Sequence, residues 1–185
     1  MDKILYLNDN FEIQNTVETD NFLAIEGYAC HYDKKNLNNQ VVDGESFRTF
    51  FEMYKANQLN PRLNYNHTDD VIGGIDELTP MSDGIWIKAH LNKMIPMVKD
   101  MIIPNVLAGD INSFSTEGYV KGGYNGIVEL ENGYYVKDFI LTGVSVVSTP
   151  ADAEATFSIA NYIREYDEWL KKEQTMTNRK IHLLI

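Results

Sequence analysis

The chain has 185 residues, of which 44% are hydrophobic and 23% charged, a composition typical of a globular protein rather than a disordered one. The chain has 16 Lys and Arg residues and 27 Asp and Glu residues, and the resulting formal net charge of -11 repels nucleic acid and acidic membrane surfaces. Because no apolar run approaches the roughly 20 residues that span a bilayer, we expect no nucleic-acid partner, no membrane partner and a cytoplasmic location.

The first 30 residues contain two kinds of segment. Residues 1–21 hold two short alternating pieces around a polar turn, which predicts an N-terminal arm or hairpin. Residues 22–30 carry a stronger strand pattern, and Gly27 inside it indicates a bulge or a close approach of another backbone. Cys30 ends this strand and has no second cysteine to pair with, so we expect it to be buried in the core.

Residues 45–56 carry the pattern of an amphipathic helix. Asp43 precedes them as a candidate N-terminal cap, because its carboxylate can accept backbone N–H groups of the first turn. At spacings of three and four residues, one apolar stripe is formed by Phe47, Phe50, Phe51 and Tyr54. We therefore predict a helix whose aromatic stripe packs in the core.

The next two predicted strands form a hairpin. Residues 62–67 alternate so that Leu63, Tyr65 and His67 share one face. Residues 71–75 return after a polar turn. His67 is therefore expected at the end of a strand, beside the hairpin turn.

A strand and a helix are predicted in the middle of the chain. Residues 85–91 place their odd-numbered side chains on an apolar face, with His90 facing solvent on the other. Residues 93–103 show methionines and aliphatic residues at helical spacing, and Pro104 is expected to end that helix. We interpret the methionines of this helix as core-filling side chains.

The second half of the chain predicts four more strands. Residues 111–120 place Ser113, Ser115 and Glu117 on one face, because side chains alternate along a strand. The remaining three, of which the first two are joined by an Asn-Gly turn, are expected at residues 127–131, 134–136 and 139–147.

The last helical pattern covers residues 152–172, with acidic residues early and two lysines at its end, as the helix dipole favours. Two roles remain open for this helix: packing on its own domain, or recognition of a partner such as a second copy or a scaffold protein. We expect three parts of the chain: an arm over 1–21, a core domain over 22–155, and a C-terminal helix and tail over 156–185.

Ser115 and His67 are the candidate catalytic pair, because a histidine on one strand can take the proton of a serine on another. Residue types alone are not diagnostic, since any chain of this size offers several such pairs. His67 with Asp69 and Asp70 lacks further ligands at metal-binding spacing. We therefore predict no metal and no cofactor.

Six short motifs follow one another between residues 22 and 155. They are Glu26-Gly27-Tyr28-Ala29, Val42-Asp43-Gly44-Glu45-Ser46-Phe47, Asn66-His67 followed by Ile72-Gly73, Asp83-Gly84-Ile85-Trp86-Ile87, Phe114-Ser115-Thr116-Glu117-Gly118-Tyr119, and Val144-Ser145-Val146-Val147-Ser148-Thr149-Pro150-Ala151. In this order they resemble the phage prohead (capsid maturation) serine protease family, whose fold is similar to that of the herpesvirus assemblin proteases. Together with the predicted elements, the resemblance implies an α+β fold: a mostly antiparallel, closed or nearly closed β-barrel flanked by α-helices.

The resemblance also implies roles for particular residues. Ser115 takes the place of the family nucleophile and His67 that of the general base. Backbone N–H groups of residues 116–118 would supply part of an oxyanion hole. Ser113, on the same strand face as Ser115, is the alternative nucleophile.

The third catalytic member departs from the family pattern. Relatives often carry a glutamate where this sequence has Gly143. Several alternatives therefore stay open: the imidazole is oriented by Asp138, Ser145 or Glu117, the site works as a dyad, or the chain is inactive.

The family resemblance implies a serine endopeptidase that acts through an acyl-enzyme. Its expected partners are scaffold and major capsid precursors, and also the protease itself, inside assembling procapsids in the bacterial host cytoplasm. A homodimer is a further expectation of this kind. The alternative function is a catalytically inactive protease-fold protein that serves as a capsid assembly or scaffold component, and a third is a general soluble hydrolase.

Overall fold

A curled seven-stranded sheet is the centre of the fold in the computed structural model, which describes residues 21–159. The strands, in chain order, are β1 (Phe22–His31), β2 (Gln40–Val41), β3 (Arg62–Tyr65), β4 (Val71–Pro80), β5 (Gly84–Asn92), β6 (Ser113–Val120), β7 (Ile127–Leu130), β8 (Gly133–Val136), β9 (Phe139–Val147) and β10 (Phe157–Ile159). The large sheet has the order β10-β1-β5-β4-β3-β9-β6, and β2, β8 and β7 form a small separate sheet. Neighbours in the large sheet are antiparallel except for β3 and β9, which run parallel. The mostly antiparallel α+β class is therefore as predicted.

The large sheet is open, so a closed barrel is not formed. Its edges are β10 and β6, and they meet at one end through an isolated bridge between Ser113 and Thr156. Beside this bridge, the backbone N–H of Phe114 donates to the carbonyl of Ala155 at 2.7 Å. Because β10 has only 3 residues, it is too short to form a ladder along the 8 residues of β6. The result is a curled half-barrel.

The first predicted helix is confirmed. A 3₁₀ turn over Glu45–Phe47 leads into α1 (Arg48–Lys55), so helical structure covers all but the last of the predicted residues. Asp43 accepts a 2.9 Å hydrogen bond from the backbone N–H of Ser46, as expected of a cap. The core side of this segment consists of Phe47, Phe50 and Phe51, all of which are buried.

The second helix starts and ends later than predicted. A π-helical turn over Val98–Ile102 continues into α2 (Ile103–Ala108). Pro104 is therefore the second residue of α2 and does not end the helix, since a position near the start of an α-helical segment tolerates the missing N–H of proline. The interpretation of the methionines as core filler is wrong for Met94 and Met101, which are 72% and 39% exposed.

The third helix does not begin at Asp152 as predicted. The chain instead forms β10, which pairs with β1 where Gly27 lies opposite Phe157. A Cβ at position 27 would overlap the carbonyl oxygen of Thr156, so this glycine allows the close approach that its place in the strand indicated. Residues 160–185 and all but the last residue of the predicted arm over 1–21 lie outside the described residues, and the division into three parts stays a prediction.

The alternation predicted for β5 is confirmed and supplies much of the core. Its fully buried odd-numbered residues are Ile85, Ile87, Ala89 and Leu91. His90 lies on the opposite face, as predicted, but its side chain is only 18% exposed, and its Nδ1 lies 2.7 Å from Oδ1 of Asp76. The ring of Phe22 covers it edge-on, at a centroid distance of 4.9 Å. Cys30 is buried, as predicted.

Candidate active site

Ser115 lies in β6, at one edge of the large sheet. It pairs across the strands with Ser145 of β9, and it is only 4% exposed. Its Oγ lies 3.1 Å from Nε2 of His67, which is a hydrogen-bonding distance. The structure thus brings the serine and the histidine of the sequence-based hypothesis together.

His67 reaches Ser115 from a left-handed turn, not from a strand. The prediction that His67 lies in the strand is wrong, because β3 ends at Tyr65. Asn66 and His67 follow with φ values of 51° and 58°, a region that costs non-glycine residues about 1–3 kcal/mol. The turn is held by the backbone N–H of His67, which donates to Oγ of Ser145 at 2.9 Å. This reversal directs the imidazole towards β6.

Two candidates for the third member lie beside the other ring nitrogen of His67. Oε2 of Glu117 is 3.4 Å from Nδ1, and Oγ of Ser145 is 3.2 Å from it. When Ser115 donates its proton to Nε2, Nδ1 carries the ring proton and donates towards these two oxygens. The arrangement therefore fixes one tautomer and one ring orientation.

Glu117 is held in place by two residues of β3. Nδ2 of Asn64 donates a hydrogen bond to its Oε1, and Nε of Arg62 lies 3.6 Å from the same oxygen. Oδ1 of Asn64 accepts a further hydrogen bond from Ser145, so one buried amide connects the two side chains that lie beside Nδ1. Neither Asn64 nor Arg62 is predicted from the sequence to be part of the site. The one feature that could have indicated such a role is a polar residue, Asn64, in the middle of a strand pattern.

Gly143 provides the space that the carboxylate of Glu117 occupies. The two residues are direct cross-strand partners in β6 and β9. A Cβ added at position 143 would overlap Oε1 of Glu117. The absence of a side chain at position 143 therefore allows the Glu117 carboxylate to lie where it does.

The other two sequence-predicted residues lie elsewhere. Oδ2 of Asp138 accepts a 3.2 Å hydrogen bond from Thr49, and Nζ of Lys121 lies 3.9 Å from it. Ser113 is buried, and its Oγ donates to Oδ1 of Asn112 at 2.9 Å. The contacts that the structure gives these side chains are thus away from His67.

A cleft of about 380 Å³ opens directly beside the catalytic pair. Ser115 and His67 form part of its wall, and His31 and Asp152 lie elsewhere in the lining. Nδ1 of His31 is 2.8 Å from Oδ2 of Asp152. Burial opposes ionisation of Asp152, but hydrogen bonds from the His31 ring and from backbone N–H groups hold the pKa of this carboxyl below its usual value.

Residues 21–159 contain neither a metal-binding cluster nor a membrane-spanning helix. No group of three or more His, Cys, Asp or Glu side chains in this range is placed to bind a metal ion. Over the same residues, no helix combines the length and apolar character that crossing a bilayer requires.

The geometry is suited to acyl transfer. A serine hydroxyl lies against one imidazole nitrogen, and a carboxylate and a hydroxyl lie against the second nitrogen. This is the arrangement in which a histidine removes the serine proton as the oxygen attacks a carbonyl carbon. The adjoining cleft gives a carbonyl-containing substrate access to the oxygen.

The sequence comparison gives a match over almost the whole chain. The profile of the family described as caudovirus prohead serine protease matches residues 10–182. No curated protein sequence matches the chain at a significant level.

Three solved viral proteases share the fold. The capsid assembly protease of bacteriophage T4 superposes with a TM-score of 0.54 at 18% identity, covering 69% of this chain and 82% of that one. The varicella-zoster virus protease gives a TM-score of 0.50 at 11% identity, covering 76% and 65%. The KSHV protease, solved with a hexapeptide phosphonate inhibitor, gives 0.51 at 10% identity, also covering 76% and 65%. This chain therefore spans less than two thirds of the herpesvirus chains, and at these identities the likeness is one of fold.

Proposed function

The chain belongs to the caudovirus prohead serine protease family, and we propose that it is a serine endopeptidase that cuts capsid and scaffold precursors during procapsid maturation. The observation that carries the proposal is the 3.1 Å contact between Oγ of Ser115 and Nε2 of His67. The same reaction on its own chain would give self-processing. Its place of action is the assembling procapsid in the bacterial host.

The chemical step begins at the hydroxyl of Ser115. As Oγ attacks the scissile carbonyl carbon, His67 takes its proton on Nε2. The imidazolium then gives this proton to the leaving amine, and the carbonyl carbon remains bonded to Oγ as an ester. A water molecule, deprotonated by the same imidazole, hydrolyses the ester and returns both side chains to their initial state.

Glu117 is the proposed third member, with Ser145 beside it. The imidazolium that forms during attack carries its positive charge next to the Glu117 carboxylate, which stabilises it. Ser145 accepts from the backbone N–H of His67 and lies near Nδ1, so it fixes both the turn and the ring. The Gly143 departure from the family pattern is then compensated by a carboxylate from the neighbouring strand.

The backbone N–H of Thr116 is the proposed oxyanion donor. The N–H of Phe114 points away from β9, since it donates to Ala155. Backbone groups two residues apart on a strand point to the same side, so the N–H of Thr116 faces the same open edge. Thr116 also lines the cleft beside Ser115. A carbonyl oxygen bound there would develop its negative charge against this donor.

The competing hypothesis is an inactive protease-fold protein that acts in capsid assembly. Its motivation was Gly143, and the position of Glu117 removes that motivation because a carboxylate is present at the imidazole. The two functions differ in whether Ser115 is an activated nucleophile. A covalent serine probe separates them directly.

The test is intact-mass spectrometry after incubation with a small fluorophosphonate. One adduct is expected on the wild-type chain, with none on Ser115→Ala and labelling slowed by roughly 10³-fold or more on His67→Ala. Ser113→Ala is the matched control, a serine on the same strand face, and it should retain the adduct. Thermal unfolding of all variants shows whether they are folded. An adduct that survives in Ser115→Ala, or its absence from the folded wild-type chain, contradicts the proposal.

A further inference from the structure

The cleft beside Ser115 is large enough to receive a substrate side chain. Its volume of about 380 Å³ lies within the range of roughly 300–1,000 Å³ that is usual for ligand sites. Because the nucleophile forms part of its wall, a side chain held in the cleft belongs to a residue next to the bond that is cut. The chemistry of the lining therefore decides which substrates are accepted.

The deeper part of the lining is apolar. Phe47 and Val136 are almost fully buried, and Phe139 packs on Phe47 with its ring edge-on at 5.7 Å. Val42 adds a half-buried aliphatic side chain. Val136 comes from the small sheet, Phe139 from the large sheet and Phe47 from the turn before α1, so three parts of the fold contribute apolar side chains to the lining.

The rim of the cleft carries an exposed leucine. Leu37 is 69% exposed, yet its backbone is fixed because its N–H donates to the carbonyl of Ala151 at 2.8 Å. An anchored, exposed leucine that lines a cleft loses contact with water when an apolar group enters. The rim thus favours the same kind of occupant as the deeper lining.

The charged groups of the lining already have partners. His31 pairs with Asp152, and Nζ of Lys34 contacts Glu154. The remaining one, His67, is engaged with Glu117. A charged substrate side chain would have to separate the largely buried His31–Asp152 pair, displace Glu154 from the exposed Lys34, or enter the cleft without a counter-charge. The first and the last are unfavourable, whereas exchange at Lys34 costs little and is the competing case tested below.

We propose that this cleft selects an uncharged, apolar side chain, such as Leu, Met or Phe, next to the scissile bond. The inference rests on the proposed endopeptidase function and adds its substrate class. An acidic side chain that displaces Glu154 from Lys34 is the competing preference, and the two are distinguished by the same assay.

The assay uses the full chain and a library of quenched peptides in which one position is varied through all residue types. Mass spectrometry locates the cut bond, and kcat/KM is then compared among peptides that differ only beside it. Apolar residues are expected to exceed Asp, Glu, Lys and Arg by at least about tenfold. A preference for a charged residue, equal rates for all residues, or no cleavage overturns the inference.

Leu37→Asp tests the rim, and Leu130→Asp is its matched control. Leu130 is also an exposed leucine, at 46%, but it lies in the small sheet and not in the lining of this cleft. We expect Leu37→Asp to lower kcat/KM for the best apolar peptide by about tenfold, and Leu130→Asp to leave it unchanged. Equal effects of the two substitutions would overturn the role of the rim.

Lys34→Ala separates the two preferences. We expect it to leave the ratio between apolar and acidic peptides unchanged within about threefold, because Lys34 is engaged by Glu154. A selective loss of acidic-peptide cleavage overturns the inference. Fluorophosphonate labelling of the wild-type chain is run in parallel. If the protein is labelled but prefers charged peptides, only the apolar preference of the cleft is rejected. If the folded protein is not labelled, the endopeptidase function is rejected, and the inference is rejected with it.

Discussion

The centre of the large sheet and its catalytic edge belong to one sheet but differ in their strands and in the chemistry of their buried side chains. In the centre, β5 buries an uninterrupted apolar face. At the edge, β3, β6 and β9 bury four of the five buried polar residues found between residues 21 and 159, namely Asn64, Ser113, Ser115 and Ser145. A buried polar group without a partner costs about 1–3 kcal/mol, so such a cluster persists only when its members bind one another.

The hydrogen bonds at the edge explain how this cluster is tolerated. Asn64 uses both ends of its amide, donating to Glu117 and accepting from Ser145. Ser145 also accepts from the backbone of His67. The centre therefore depends on how well its apolar side chains fill the available volume, and the edge depends on the directions of its hydrogen bonds. Substitutions at the edge should therefore alter activity more than stability, and substitutions in the centre the reverse.

The largest effect is expected for His67→Gln. Loss of the base should lower kcat/KM by roughly 10⁴-fold, about 5.5 kcal/mol of transition-state stabilisation. Unfolding in urea should change little, because the His67 side chain is 45% exposed. The measurement is peptide cleavage alongside urea unfolding. Activity within tenfold of the wild-type value would refute the role of His67.

The next largest effect is expected for Glu117→Gln, which keeps the shape of the side chain and removes its charge. We expect kcat/KM to fall by about 10³-fold, or 4 kcal/mol, since the imidazolium loses its counter-charge. The fold should persist, because the Gln oxygen can still accept from Asn64. Steady-state kinetics check this, with Glu129→Gln on β7 as a control that should have no effect.

A paired exchange sharpens this prediction. Glu117→Gly combined with Gly143→Glu moves the carboxylate across one strand pair while preserving the composition of the site. We expect the double variant to be at least about tenfold more active than Glu117→Gly alone. The single variant Gly143→Glu should be poorly active, because its side chain meets that of Glu117. If the activity losses of the two single variants simply add in the double variant, a carboxylate at position 143 does not replace Glu117.

In the centre, Leu91→Ala should act on stability. Leu91 is fully buried, and its truncation should lower the free energy of unfolding by about 3 kcal/mol. At a temperature where the variant remains folded, kcat/KM should stay within about twofold of the wild-type value, which follows from the independence of distant sites. Urea denaturation and peptide cleavage on one preparation test both statements. A large loss of kcat/KM without a lower free energy of unfolding would contradict the expected difference between the centre and the edge.

The smallest effect is expected for Asp152→Asn, and it depends on pH. The pKa of Asp152 is lowered in the folded state, so its carboxylate stabilises the fold above its ordinary value near 3.8 and this stabilisation is lost as pH falls through the folded-state pKa. The variant should be about 1 kcal/mol less stable at pH 7. The difference should begin to shrink near pH 3.8, where the unfolded chain takes up this proton, and shrink further as pH falls through the lower pKa of the folded state. Thermal unfolding at pH 7 and pH 3 gives the comparison, and a constant difference would disprove the linkage.

The sequence predicted the centre of the sheet better than its edges. Alternation in β5 and the aromatic stripe of α1 are local patterns, and local periodicity is enough to find buried faces. The helical spacing of residues 152–172 includes Phe157–Ile159, while the strand conformation of these three residues depends on pairing with β1, more than a hundred residues away. The sequence predicts a helix end at Pro104 because the π-helical turn before it has no sequence pattern of its own.

Ser115 and His67 were identified from the family resemblance rather than from periodicity. The position of Glu117 against Gly143 depends on the register between β6 and β9, which is shifted by a bulge between Glu117 and Gly118. A sequence does not reveal where such a bulge falls. Asn64 was missed for a related reason: its two partners, Ser145 and Glu117, are brought together only by the neighbouring strands.

The buried Cys30 has a consequence for following how the molecule opens. Burial raises the pKa of its thiol to about 12, with a contribution from the negative charge of Asp152. At neutral pH only about one thiol in 10⁵ is then ionised, so alkylating reagents react with the native state very slowly. Because this is the single cysteine of the chain, each modified molecule marks one event in which β1 separated from its neighbours. The rate of alkylation of Cys30 thus reports the rate at which this part of the sheet opens.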